Sequence, residues 1–119
     1  MDFTNDLFLI SGILGFISII TGFILLKFPP KNINFLYGYR TKSSMKSKER
    51  WDFAQSYSAK LMIKGGVLYL GLGVLVLFLN LSHILNVSIG IGTLLLGCIY
   101  LIVKTELKLK QKFSNNETL

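Results

Sequence analysis

Long uncharged apolar runs alternate with basic polar stretches along the chain. Residues 7–26 form a run of 20 residues without a charge. A bilayer core about 30 Å thick is crossed by roughly 20 apolar residues in a helix, so this run predicts a membrane span. Lys27 and the pair Pro29-Pro30 end it, because proline supplies no N–H and restricts the residue before it. A secretory signal peptide has a basic start and an apolar stretch of only about 7–15 residues. Here the start carries Asp2 and Asp6 and no Lys or Arg, so a retained helix is expected. Residues 65–103 are again uncharged, leaving aside neutral His83. Asn80, Ser82, His83, Asn86 and Ser88 cluster near the middle of that run and predict a turn. The pattern therefore gives three spans, at about 7–26, 61–79 and 84–103, in one membrane domain covering residues 1–119.

Charge turns this pattern into a topology. All 13 basic residues fall on one side of the three-span arrangement. Nine lie between Lys27 and Lys64, and four lie in the tail 104–119, at Lys104, Lys108, Lys110 and Lys112. Loops rich in Lys and Arg stay in the cytoplasm. The expectation is an all-α protein with its N-terminus outside, its C-terminus cytoplasmic and a cytoplasmic loop at 27–60. Composition agrees, with 51% hydrophobic and 16% charged residues against roughly 25% charged in an average soluble domain. The net charge of +7 is accounted for by basic flanks that meet anionic lipid headgroups, at about 1 kcal/mol per residue. Direct nucleic-acid binding is not expected. The lipid bilayer is the first partner, and the expected location is the bacterial plasma membrane.

The cytoplasmic segment is where function is expected to show. Phe28, Phe35, Tyr37 and Tyr39 alternate with polar residues, and aromatic rings favour the membrane–water interface. An interfacial amphipathic segment is therefore expected before the second span. Gly38 can supply a turn with positive φ. Ser47 is a plausible helix N-cap, with Ser44 as the alternative, and Glu49 in the first turn complements the helix dipole. From about Lys48 a helix places Trp51, Ala54, Gln55, Ser58 and Leu61 on one face, and it is free to run on into the second span. Eleven lysines against two arginines make Arg40 and Arg50 candidates for a role that needs a fork-shaped guanidinium. A carboxylate such as Asp52 or Glu49, a backbone carbonyl or a lipid phosphate would serve as partner.

Small residues form stripes on the spans. Ser11, Gly15, Ser18 and Gly22 share one face of the first, Gly66 and Gly73 lie on the second, and Asn86, Gly90, Thr93 and Gly97 line the third. Such faces let helices approach closely in lipid. The simplest reading is a compact three-helix bundle, with a peptide helix or a second copy of the chain as the other occupant of a stripe. No Asp, Glu or Arg lies in the centre of a span, which counts against a proton-coupled pump. The sequence offers no metal-ligand cluster, no nucleophile–base pair and no P-loop, so no enzyme activity, cofactor or metal is expected. Cys98 reads as a small apolar residue and His83 as a solvated turn residue.

The stretch Asn34-Phe-Leu-Tyr-Gly38-Tyr39-Arg40-Thr41, followed by Ser44, Ser47, Glu49, Trp51, Ala54 and Gln55, resembles the signature of the SdpI family of small bacterial membrane proteins. The resemblance covers roughly residues 30–79, and the flanking spans match in hydropathy alone. Fuller members of that family carry a further N-terminal block of helices, and many have Pro where this chain has Lys42. The resemblance implies a non-catalytic protein that gives immunity to a membrane-active peptide toxin. It also implies signalling through a cytoplasmic regulator captured at the membrane. Its motif positions here are Asn34, Gly38, Tyr39, Arg40, Thr41, Trp51 and Gln55, to which Arg50 is added from its chemistry. Asn34, Arg40 and Trp51 are expected to hold the loop against the bundle. The alternatives are a small homo-oligomeric transporter, with the stripes as seams between copies, and an accessory subunit of a membrane complex.

Overall fold

A computed structural model describes residues 4–34 and 36–113. Phe35 of the aromatic segment and tail residues 114–119 lie outside the described residues. The described chain is three antiparallel helices: α1 (Asp6–Lys27), α2 (Lys48–Val76) and α3 (His83–Phe113). Each is long and apolar enough to cross a membrane. The protein is a multi-pass, all-helical membrane protein.

Local chemistry sets the helix ends. The Asn5 side chain accepts from the Phe8 amide at 3.1 Å and caps α1. Ser47 accepts from the Arg50 amide at 3.1 Å and caps α2, so it is Ser47 and not Ser44 that starts this helix. The helix expected from Lys48 runs into the second span without a break. It ends at Val76, three residues before the boundary read from hydropathy, because residues 77–79 tighten into turns with i to i−3 hydrogen bonds. Asn80 then takes φ +49°, a left-handed conformation that Asn tolerates better than most side chains. At 1.5 Å per residue, α2 and α3 are roughly 44 and 46 Å long, well beyond a 30 Å hydrocarbon core. Their surplus turns lie together at the basic end, where the 28–47 loop packs on them.

Two helices form the main packing unit. Ser11, Gly15 and Gly22 of α1 meet Gly73, Gly66 and Ala59 of α2. A Cβ built on Gly66 would stand 2.7 Å from the Gly15 carbonyl oxygen, and one on Gly22 would stand 2.8 Å from that of Ala59. Backbones this close leave no room for a side chain, and the contact replaces the hydrophobic drive that lipid does not provide. Ser18 adds a bond from its hydroxyl to the Met62 carbonyl at 2.9 Å.

The third helix behaves differently. Its buried residues are Asn86 and Gly90 near one end and Thr105, Leu109 and Phe113 at the other. At the first end Gly90 meets Leu7, and the Tyr69 hydroxyl donates to the Gly90 carbonyl at 2.7 Å. Between the two ends no residue of α3 is buried. Gly97 was expected to continue the packing stripe, but nothing lies within 4 Å of where its Cβ would be. The stripe fails there because α3 bridges the α1–α2 pair like a strut, touching at both ends and standing off in the middle. His83, the expected solvated turn residue, is largely exposed and pairs with Asp6 at the end away from the basic loop.

Candidate functional site

The loop between α1 and α2 is short of regular structure and rich in specific bonds. Asn34 folds the first part by accepting the amides of Leu36 and Tyr37 at 2.9 and 2.7 Å, a side-chain mimic of a backbone turn. The Tyr37 hydroxyl returns to the Phe28 carbonyl at 2.9 Å. Gly38 follows with φ +101°. A Cβ there would collide with the Gln55 side chain and stand 2.9 Å from the Pro30 ring, so backbone conformation and close approach both require glycine.

Two side chains of α2 clamp the loop. Gln55, fully buried, accepts the Tyr39 amide at 2.6 Å and donates to the Tyr39 carbonyl at 2.7 Å. One side-chain amide thus satisfies both backbone groups of one residue, as a neighbouring strand would. Trp51, one turn earlier and also fully buried, donates its indole N–H to the Pro30 carbonyl at 2.8 Å. These bonds exist because 51 and 55 are four apart on one helix face.

A third anchor comes from α3. The Tyr39 and Thr41 hydroxyls both donate to Glu106 Oε2 at 3.0 Å. Burial pushes the Tyr39 phenol well above its ordinary pKa, and the adjacent Glu106 carboxylate pushes it further. The phenol therefore stays a proton donor. Thr41 and Ser44 close the next turn reciprocally: the Thr41 amide donates to Ser44 Oγ at 2.9 Å, and the Ser44 amide donates to Thr41 Oγ1 at 3.1 Å. Ser44 is thus a turn residue inside the loop.

The two arginines separate sharply. Arg50 is buried, and its guanidinium donates to the Ser43 carbonyl at 2.8 Å and to the Ser43 hydroxyl at 2.7 Å. It also lies over the Phe113 ring, 5.5 Å from the centroid. Of the partners considered for a guanidinium, a backbone carbonyl is one it takes, while Asp52 pairs with Lys48 on the surface. Arg40 is exposed and makes no hydrogen bond or ion pair among the described residues. Of the three residues expected to hold the loop against the bundle, Trp51 ties it to α2, Asn34 bonds only within the loop itself, and Arg40 is held out from it. The reason is alternation: Tyr39 and Thr41 turn inward to Glu106, so the residue between them turns outward.

Sequence reasoning missed Glu106, Ser43 and Pro30 as loop partners. Glu106 carried a faint signal, as the one acidic residue among the lysines from 104 to 112. A carbonyl acceptor such as that of Pro30 carries none.

The fold and site define a class: a three-helix membrane protein whose first connecting loop is locked to both long helices at the basic end. Residues 31–105 match the SdpI/YfhL protein family. An uncharacterized protein, YfhL, of Bacillus subtilis (strain 168) is 42% identical over 96 residues, which cover 81% of this chain and 82% of that one. No solved structure matches the chain. The chain belongs to the SdpI/YfhL family.

Proposed function

We propose that this protein acts by binding rather than by catalysis, protecting the bacterial plasma membrane from a membrane-active peptide toxin. In this reading the loop and the basic extensions of α2 and α3 face the cytoplasm, by the rule that Lys/Arg-rich segments stay inside. The exposed apolar side chains of the first loop, Phe28, Ile33 and Leu36, rest among the lipid headgroups. The loop reports the state of the bundle to a cytoplasmic regulator.

One observation carries the reading. Tyr39 and Thr41 bind α3 through Glu106, Tyr39 binds α2 through Gln55, and Arg40 between them is left exposed. With Tyr39 and Thr41 pinned on either side of it and its own guanidinium unpaired among the described residues, Arg40 is open to an anionic partner. A shift of α3 against α2 is felt directly at its base, because the two anchors sit on different helices.

The test is protection of a toxin-sensitive bacterium expressing the chain and challenged with a sporulation-delaying-type peptide toxin. The parent protects, Arg40→Ala inserts normally and loses protection, and Glu106→Ala loses it by releasing the loop. Equal protection by Arg40→Ala and the parent refutes the role of Arg40. No protection by correctly inserted parent refutes the immunity reading.

A further inference from the structure

The stand-off of α3 leaves a groove of about 620 Å³ between the middle of α3 and the α1–α2 pair. Leu68, Leu72, Leu94 and Leu101 contribute to its apolar lining, and Lys64 and Lys104 stand in its wall toward the loop end. Lys104 bonds the Tyr100 hydroxyl at 2.9 Å, and neither lysine has an acidic partner among the described residues. Gly65 and Gly97 also line the groove, and a Cβ on either would meet nothing within 4 Å. The protein itself does not fill this space.

We infer that the groove is a binding site for one anionic phospholipid, with an acyl chain along the groove and the phosphate between Lys64 and Lys104. Three features select this occupant. The walls are apolar while the open charge at one end is positive. From Thr93 to Lys104 the groove runs eleven residues of α3, about 16 Å at 1.5 Å per residue, which is about half of a 30 Å hydrocarbon core. It is therefore one leaflet deep. A transmembrane peptide or a helix of a second copy would need a seam running the full height, and above the groove the Tyr69–Gly90 contact closes it. Two lysines in the wall of such a cleft, without acidic partners among the described residues, favour an anionic over a zwitterionic lipid. The site is independent of the role of the loop and of which side of the membrane the loop faces.

The test is native mass spectrometry of the full chain released from nanodiscs of equal parts phosphatidylcholine and phosphatidylglycerol. One phosphatidylglycerol is retained per chain, in preference to phosphatidylcholine. The double variant Lys64→Gln/Lys104→Gln lowers that preference by up to about thirtyfold, the product of two lysine–headgroup interactions. Gly97→Leu keeps both charges, has space for its side chain and lowers retention of either lipid by filling the groove. Equal retention of the two lipids by the parent overturns the site, as does unchanged retention in the double variant or in Gly97→Leu. Cys98 also lines the groove. A Cys98-linked dimer formed on oxidation in native membranes would assign the groove to a second copy and overturn the lipid. Trp51 emission, unchanged in every variant, confirms that each has folded.

Discussion

Gln55 gives both of its amide functions to one residue, Tyr39, accepting its N–H at 2.6 Å and donating to its carbonyl at 2.7 Å. Both bonds span 16 residues of sequence and pin the loop to the turn of α2 just outside the membrane span. Gln55→Ala leaves two part-buried backbone groups without partners, at a cost of about 1–3 kcal/mol each. Gln55→Glu still accepts from the Tyr39 amide but has nothing to donate to its carbonyl, so it is also weakened. The single tryptophan of the chain, Trp51, reports the result. Its emission is expected to shift to the red in both variants as the loop opens, with helix content unchanged by circular dichroism. An unshifted spectrum in Gln55→Ala rules out this clamp as the main restraint.

Gly38 and Gly97 make a matched pair of opposite sign. Gly38→Ala meets both a positive φ and occupied space, so it destabilises the loop by about 1–3 kcal/mol. Gly97→Ala enters open space in a helix interior and stabilises by up to about 1 kcal/mol. Thermal unfolding in detergent, followed at Trp51, distinguishes them. Equal shifts in the two variants would remove the steric account of Gly38.

The α1–α2 seam is expected to be the least forgiving part of the bundle. Gly66→Leu drives a side chain into the Gly15 backbone and Ile19, an overpacking that costs about 1–3 kcal/mol. Relative to the parent, it lowers the unfolding temperature in detergent, while Gly97→Leu does not. A variant at Gly66 as stable as the parent would show that the two helices separate without penalty.

Tyr39 predicts an alkaline limit for the docked loop. Its phenol pKa is raised above the ordinary value of 10.0 by burial and then by Glu106. A raised folded pKa means the protonated form is favoured in the docked state. The contribution is complete below the unfolded pKa and fades as pH rises from that value through the folded one. Trp51 emission is expected to be constant from neutral pH to about 10 and to shift red above it. Tyr39→Phe, which cannot bond Glu106, lacks that step and starts from a looser loop. The same alkaline step in Tyr39→Phe and parent would assign it to another group.

What the sequence determined by itself was everything that depends on local composition. Three spans were legible because transfer of about 20 mostly apolar residues into lipid is decided within each run. The Ser47 cap and the face carrying Trp51, Ala54, Gln55 and Ser58 were legible because helix geometry fixes neighbours three and four residues apart. The family signature was legible for the same reason, since it lies within one stretch from Asn34 to Gln55. Tertiary structure alone decided which arginine is buried. Arg40 and Arg50 have the same chemistry, and only the inward turn of Tyr39 and Thr41 toward Glu106, some 65 residues away, sends one out and leaves the other to hold Ser43. It also decided that Gly97 faces a groove while Gly90 meets Leu7 and the hydroxyl of Tyr69. Both glycines belong to the same stripe by periodicity, but whether a face is covered depends on the angle between helices. That angle is set by contacts at the two ends of α3, which no short window of sequence contains.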